Sequence, residues 1–239
     1  MKHLIIRLTT LALMLTTLIP AKAQQTQWHY DGLFYYINDD GTCSVVSTLK
    51  TGEIVIPQVA VIEGKNYTVT AILEGAFQTK DKITSIVLPN SVTSIGEYAF
   101  LGCTGLTTIK LPDALTEIST GTFSLCTGLN SVALPSALST IGSEAFYNCT
   151  GLISLHLPSS ATTIGDHAFF NCSNLAVIAI PHTLESIGTE AFLNCSKLTS
   201  IYLPGTITHI GTGAFSNCTG LTSVIIPNSI TALGSSVFS

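Results

Sequence analysis

IGEYAFLGCTGLTTIKLPDALTE, residues 95–117, determines the architecture, because the chain repeats this segment at a period of 23 residues. Repeats begin at Ile72, Ile95, Ile118, Ile141, Ile164, Ile187, Ile210 and Leu233. Seven repeats are complete and the eighth stops after seven residues. A fixed period of this length is typical of a solenoid, in which stacked units bury the apolar side that one unit cannot bury alone. The pattern therefore predicts one elongated, β-rich solenoid over residues 72–239.

One column of the repeat contains Phe without exception. Like side chains in neighbouring units should lie about 4.8 Å apart, as they do between parallel strands. The aromatic rings would then stack along the core as a single spine. This column consists of Phe77, Phe100, Phe123, Phe146, Phe169, Phe192, Phe215 and Phe238.

Each unit also carries local signals for a strand and for tight turns. The run from Leu106 to Pro112 predicts a strand, since its apolar members alternate and proline then ends the ladder for want of an N–H. The Ala-Phe-x-x-Cys segment at 99–103 predicts a single helical turn. Two glycine columns, represented by Gly96 and Gly105, indicate backbone positions with positive φ.

The combined pattern I-G-x-x-A-F-x-x-C-x-x-L-x-x-I-x-L-P resembles the leucine-rich repeats of the BspA-like class, which is common in surface and secreted proteins of Bacteroidota. The resemblance covers residues 72–239, about 70% of the chain, and several columns coincide in register. The first repeat departs from it, with Leu73 in a glycine column and Lys80 in the Cys column. The resemblance implies a leucine-rich-repeat fold and a role in adhesion to host matrix proteins or to other bacteria.

Residues 1–23 are predicted to be a signal peptide rather than part of the fold. Lys2 and Arg7 form a basic start, residues 8–19 are apolar, and residues 21–23 (AKA) match an A-x-A cleavage site. The apolar run is too short to span a membrane, and a retained signal anchor is the alternative. We therefore expect an exported protein, secreted or at the cell surface, with the periplasm as a further location.

Residues 24–71 lack the period and predict an N-terminal antiparallel β cap over the first repeat. Leu33–Ile37 and Ser44–Leu49 resemble strands, and residues 38–41 (NDDG) between them predict a hairpin turn. Residues 54–57 (IVIP) imitate the strand-proline end of a repeat. A separate ligand-binding domain is the alternative interpretation of this segment.

The last repeat ends at Phe238 and Ser239 without a polar cap. An uncapped solenoid end exposes apolar core and an unpaired strand edge. The molecule could dimerise there, a neighbour could cover the end, or the chain could be a shortened copy of a longer protein. Association of two molecules at this end implies an alternative function, that of a structural module which assembles by stacking through its C-terminal end.

Charge disfavours two classes of partner. Cleavage after Ala23 would leave six Lys, no Arg and 14 acidic residues, a formal charge of −8. Nucleic-acid binding needs clustered cations to contact the phosphates, and anionic lipid is disfavoured for the same reason. We therefore expect no nucleic-acid partner and no membrane span, and a protein as the partner.

Residues that could carry chemistry recur with the repeat and do not converge on one site. Six of the seven Cys form a column: Cys103, Cys126, Cys149, Cys172, Cys195 and Cys218. Their Cβ atoms would lie farther apart than a disulfide normally allows, so we expect buried thiols, with pairwise disulfides or a metal site as alternatives. The His residues after the signal peptide occupy different columns and lack ligand spacing. We predict no catalytic residue, no cofactor and no metal.

Two further columns have a functional and a structural interpretation. Asn148, Asn171, Asn194 and Asn217 each precede Cys-Ser or Cys-Thr and so match the glycosylation sequon. We expect these Asn side chains to bond to the backbone instead. Glu97, Glu144 and Glu190 lie near the turn between Gly and Ala, and we expect solvated loop acids rather than a catalytic pair.

The part of the repeat that varies is the outward face of the strand. The central outward residue differs between repeats, whereas its neighbour is nearly always Ser or Thr. An open strip of seven strands with one diverse column is typical of a recognition surface, and neutral drift on a solvated face is the alternative. The candidate partner-binding residues are Val87, Lys110, Ala133, His156, Ala179, Tyr202 and Ile225. We hypothesise a non-enzymatic exported protein that binds host matrix or bacterial surface proteins through this face.

Overall fold

The structure, a computed structural model of the chain, describes residues 26–231 and 233–239. Within these residues it contains 17 β-strands, joined by turns and without a helix. The signal peptide predicted at 1–23 lies outside the described residues. The strands before the solenoid are β1 (Trp28–Tyr30), β2 (Leu33–Ile37), β3 (Thr42–Thr48), β4 (Gly52–Val55), β5 (Val59–Ile62) and β6 (Lys65–Ile72).

The repeats contribute short strands to two walls of the solenoid. The first wall contains β7 (Ile83–Val87), β9 (Thr108–Lys110), β11 (Ser131–Ala133), β13 (Ser154–His156) and β15 (Val177–Ala179). The second wall contains β8 (Ser94–Ile95), β10 (Glu117–Ile118), β12 (Thr140–Ile141), β14 (Thr163–Ile164), β16 (Ser186–Ile187) and β17 (His209–Ile210). All strand pairs on both walls are parallel, which confirms the predicted solenoid.

The N-terminal segment forms a mixed rather than a purely antiparallel sheet. β1 pairs with β2, β2 with β3 and β5 with β6 in antiparallel fashion, and the predicted turn between β2 and β3 contains Gly41 at φ 80°. However, β3 pairs with β6, and β4 with β7, in parallel fashion. The parallel pairs continue both walls of the solenoid into this segment, because β6 also pairs with β8.

The Phe column forms the predicted spine. Neighbouring ring centroids lie 5.1–5.6 Å apart, and the ring planes differ by 3–15°. The rings from Phe77 to Phe215 are fully buried, whereas Phe238 at the last repeat is 44% exposed. Stacked, offset rings combine a large buried apolar area with favourable edge and face contacts. The spine is therefore a continuous element of the core.

The predicted helical turn is wrong. Each Ala-Phe-x-x-Cys segment runs through successive tight turns, and these turns stack into a third wall, which we call the turn wall. In one repeat the N–H groups of Glu144, Phe146 and Asn148 donate to carbonyl oxygens of the next repeat at 2.8–2.9 Å. Glu144 and Asn148 have φ of 56°, so the chain alternates between conformations rather than continuing a helix. Hydrogen bonds to the next repeat replace those within a helix.

This backbone also accounts for the Asn column. Asn148, Asn171, Asn194 and Asn217 all have φ between 55° and 64°. Asn adopts the left-handed region more readily than other residues with a Cβ. The expected side-chain bond to the backbone is not what the structure shows for the first two, since Nδ2 of Asn171 donates to Oδ1 of Asn148 at 2.5 Å.

Neither glycine column has the positive φ that we expected. A Cβ on Gly142 would lie 2.6 Å from the carbonyl oxygen of Ile118, and a Cβ on Gly151 would lie 2.5 Å from that of Thr127. Both columns therefore contain Gly because neighbouring backbones approach closely, and not because of a left-handed conformation. Asn174 occupies the second column and bonds through Nδ2 to the preceding repeat.

The six Cys of the column are buried as free thiols. Each Sγ donates to the carbonyl oxygen of the Phe in the preceding repeat at 3.0–3.2 Å. Burial raises the pKa of Cys103 to about 12 and raises those of Cys149 and Cys172 well above the ordinary value. Because the thiolate is the reactive form, these thiols should be inert in the folded protein.

We predict that iodoacetamide at pH 8 will leave Cys149 and Cys172 unmodified in the native protein. The same reagent in 8 M urea should modify all seven Cys of the chain, because unfolding restores both access and an ordinary thiol pKa. Mass spectrometry of chymotryptic peptides would measure both reactions, because aromatic and Leu residues separate the Cys residues of successive repeats. Modification of Cys149 at the same rate with and without urea would contradict the buried position of this thiol.

Candidate interaction surface

The predicted strand-face column is a physical row of side chains. In the sheet register Val87 lies beside Lys110, and Lys110 lies beside Ala133. His156 pairs with Ala179 in the same way further along the solenoid. The inward neighbours of these residues, such as Ile109 and Leu155, are buried, so alternation along each strand fixes which side chains point outward.

The strip is shorter as a sheet than predicted. Five of the seven expected strands are present on this wall, and β11 and β13 are not paired with each other. Tyr202 and Ile225 lie in segments without assigned strand structure, although their positions in the repeat are unchanged. The hydrogen bond from the N–H of Thr199 to the carbonyl oxygen of Ala176 is 3.4 Å long, the same as that from Ile153 to Asn130 earlier on this wall. The last two members of the column therefore keep their place in the repeat but lie outside the regular strands.

The strand face exposes several large apolar side chains. Val87 is 55% exposed, Tyr202 68% and Ile225 85%. The cap extends the row, since Val55 pairs with Val87 and is 60% exposed. Sequence reasoning missed Val55 because the segment before residue 72 lacks the period; the strand-proline signal at 54–57 was the available clue.

The other predicted chemical residues stay dispersed. His167 lies 3.3 Å from Glu190 across neighbouring repeats, in a pair that is ionic when the imidazole is protonated. His156 and His209 are on different walls. Within the described ranges, no group of three or more His, Cys, Asp or Glu could hold a metal ion. No convergent catalytic arrangement is therefore formed by the side chains that the sequence singled out.

The turn wall carries a second feature, which the sequence analysis did not identify. A groove of about 640 Å³ is lined by aromatic side chains, including Tyr98, Tyr147 and Phe170, and by carboxylates, including Glu144. The signal for it was present, since Tyr147 and Phe170 occupy the same position in successive repeats.

The family follows from the periodic columns together with their stacking. The sequence profile of the BspA type leucine-rich repeat region matches residues 70–196 and 116–239, in six copies. The chain belongs to the BspA-type leucine-rich repeat family. The matched region coincides with the solenoid, and the predicted resemblance is confirmed.

Solved structures of other leucine-rich repeat proteins are similar to this BspA-type chain. A protein from Bacteroides ovatus ATCC 8483 is 34% identical, with a TM-score of 0.82, over 87% of this chain and 55% of its own. The leucine-rich repeat protein of T. pallidum is 28% identical, with a TM-score of 0.76, over 92% of this chain and 99% of its own. A protein from Eubacterium ventriosum ATCC 27560, 24% identical with a TM-score of 0.70 over 86% of this chain and 52% of its own, shares the fold.

These similarities define the fold and the family more closely than the function. The chain spans about half the length of the Bacteroides ovatus protein. No curated protein matches the sequence. The described residues contain no helix with the length and apolar character that a membrane crossing requires. Leucine-rich repeats generally serve in protein interactions and are typically non-enzymatic. The functional site to expect on such a scaffold is therefore an interaction surface.

Proposed function

We propose that this BspA-type protein is an exported, non-enzymatic binding protein that attaches to other proteins at the cell surface through its strand face. The partners we propose are host matrix proteins or surface proteins of other bacteria. The observation that carries this proposal is the exposure of large apolar side chains at both ends of one row, Val55 and Val87 at the first end and Tyr202 and Ile225 at the other. Exposed apolar side chains with polar neighbours commonly mark an interaction site.

The polar members of the row would supply specificity. Lys110 and His156 are exposed on the same face, and the Ser and Thr residues beside them offer hydroxyl groups. Aromatic and cationic side chains often carry most of the binding energy at interfaces, while the surrounding contacts exclude water. Tyr202, with a large amphipathic ring in solvent, is the strongest single candidate.

We predict that the triple variant K110A/H156A/Y202A will lose about tenfold or more in affinity for its protein partner. A Tyr anchor alone can contribute more than about 1 kcal/mol, and a loss of about 1.4 kcal/mol is tenfold. The immobilised chain from residue 24 onward would first be used to capture proteins from a host extracellular-matrix extract. Binding of each captured protein to wild type and variant would then be compared by surface plasmon resonance.

The matched control is K65A/H209A, which removes a Lys and a His from exposed positions on β6 and β17, away from the strand face. This control should bind as the wild type does. Equal binding by wild type and K110A/H156A/Y202A would remove the strand face from consideration.

The second proposal is self-assembly through the last repeat. Leu233 and Phe238 are each at least 44% exposed there, which favours contact with another apolar surface. Size-exclusion chromatography with light scattering on the chain from residue 24 onward distinguishes the two proposals. A defined oligomer supports assembly, and a monomer at micromolar concentration favours the binding protein.

A further inference from the structure

The groove on the turn wall is separate from the strand face and extends over several repeats. Its lining includes Tyr98, Leu125, Glu144, Tyr147, Phe170 and Glu190. A second hollow of about 560 Å³ shares Tyr98 and Leu101 with it and adds Glu74. The two hollows are adjacent, since they share these two residues, and we call them together the turn-wall groove.

The aromatic side chains of this groove are held in place and do not belong to the Phe spine. The rings of Tyr147 and Phe170 stack with centroids 4.7 Å apart and planes 12° from parallel. Tyr98 lies against the backbone of Gly121, because a Cβ on Gly121 would collide with the Tyr98 ring. All three aromatic residues are half-buried and so present part of their rings to solvent. Rings with fixed positions form a preorganised surface.

The charge of the groove has one sign. Glu74, Glu144 and Glu190 line the two hollows, whereas no Lys or Arg does so among the described residues. His167 is the one lining residue that could become cationic, and it already faces Glu190. Burial, and then the charges of Glu144, Glu97 and Glu74, raise the pKa of Tyr98. Glu74 and Glu144 thus stand beside an aromatic ring without a cation among the groove residues.

We propose that the turn-wall groove binds a lysine- or arginine-bearing segment of a partner polypeptide. An ammonium or guanidinium group is attracted to the face of an aromatic ring, and nearby carboxylates strengthen that attraction. The aliphatic stem of such a side chain can lie along apolar groove residues such as Leu125 while its charged end reaches Glu144. Charge complementarity favours this ligand over an acidic peptide, and the unpaired carboxylates favour it over a neutral saccharide.

The test uses fluorescein-labelled hexalysine as the probe and fluorescence anisotropy on the chain from residue 24 onward. We expect E74Q/E144Q to weaken binding about fivefold, because it removes two carboxylates and keeps the side-chain shape. Y98G should weaken binding about threefold, by loss of one aromatic face. Gly is compatible with the backbone at Tyr98, where φ is 53°, because Gly75, Gly121 and Gly213 occupy the same column.

The matched control is E117Q/E185Q, which makes the same change in net charge at exposed residues outside the groove. It should change hexalysine affinity by less than about twofold, because neither carboxylate lines the groove and salt screens exposed charges that the ligand does not contact. An equal loss in E117Q/E185Q and E74Q/E144Q would overturn the proposal, since attraction would then depend on net charge alone.

A second probe, a neutral labelled trisaccharide such as chitotriose, tests the competing ligand class. Binding of chitotriose that Y98G abolishes and E74Q/E144Q preserves would overturn the proposal in favour of a saccharide site. Absence of chitotriose binding, together with hexalysine binding sensitive to both groove variants, supports the peptide site. Unchanged hexalysine affinity in both Y98G and E74Q/E144Q would also overturn the proposal of a cationic-peptide site. Circular dichroism of each variant checks that the fold is retained.

Discussion

Replacement of Phe169 by Ala should lower the free energy of unfolding by about 3–5 kcal/mol, the range for removal of a large buried aromatic side chain. Phe169 is fully buried, and its ring stacks on Phe146 at 5.3 Å and on Phe192 at 5.1 Å. The stability of a solenoid is roughly a sum of repeat terms and nearest-neighbour interface terms. This single change therefore weakens two interfaces, and the walls of the repeat cannot collapse into the cavity without breaking their ladders to both neighbours.

The matched control for this prediction is the same substitution at the end of the column. Phe238 is 44% exposed and stacks on Phe215 at 5.6 Å, so Phe238→Ala should cost no more than about 1–2 kcal/mol, in proportion to the smaller area that it buries. Urea titrations followed by circular dichroism would measure both variants against the wild type. Equal losses at the two positions would contradict a stack in which interior rings contribute to two interfaces.

The spine could be predicted from the sequence because burial of one side chain in every repeat leaves a signal in a fixed column. The turn wall could not be predicted from the sequence, because Ala-Phe-x-x-Cys is locally compatible with a helical turn. The decisive interactions are the hydrogen bonds from Glu144, Phe146 and Asn148 to the next repeat, and these are tertiary. The column that contains Asn148 was a partial signal for these turns, since a column of Asn indicates a left-handed backbone.

The strand-face column could be located because alternation along a strand determines which side chains point outward. Its extension by Val55 depends on the register between β4 and β7, and the sequence before the repeats does not specify that register. The turn-wall groove was harder still to predict. Tyr98 and Glu144 are two repeats apart in sequence, and they line one hollow because the small Gly121 lies between them.

Two different walls of the same scaffold thus carry the variation between repeats. The core columns and both glycine columns maintain the stacking distance, while outward positions are free to change. A protein partner on the strand face and a cationic segment in the turn-wall groove would contact separate surfaces. Simultaneous binding of both would raise the overall affinity for one extended partner without any change in the core.

The close approach of neighbouring backbones leads to the second large effect, which we expect at Gly165. A Cβ there would lie 2.6 Å from the backbone N of Ser143, and the N–H of Gly165 donates to the carbonyl oxygen of Ile141 at 2.8 Å. Gly165→Ala should destabilise the protein by about 1–3 kcal/mol, because the neighbouring backbone cannot move aside as a side chain could. Gly205 has no atom within 4 Å of an added Cβ, so Gly205→Ala is the matched control. It should be neutral or stabilising by up to about 1 kcal/mol.

One repeat already has a residue with a side chain in the column of Gly165. Ser119 occupies it in one repeat, and there the hydroxyl, rather than a backbone N–H, donates to the carbonyl oxygen of Ile95 at 2.8 Å. The strands β8 and β10, which flank this point, are not paired in the described sheets. An added Cβ that pushes the backbones apart would break the bond from the N–H of residue 165 to the carbonyl oxygen of Ile141. Gly165→Ser should therefore cost less than Gly165→Ala, because a serine hydroxyl can still donate to that oxygen and a methyl group cannot.

The ranking of three variants in urea titrations tests this explanation. The expected order of stability is Gly205→Ala, then Gly165→Ser, then Gly165→Ala. If a left-handed backbone were the requirement at Gly165, then Gly165→Asn would be the best tolerated substitution there, because Asn accepts positive φ. Close approach predicts the opposite, since the larger Asn side chain meets the same neighbouring backbone. Greater stability of Gly165→Asn than of Gly165→Ser would show that conformation, and not contact between repeats, selects Gly in this column.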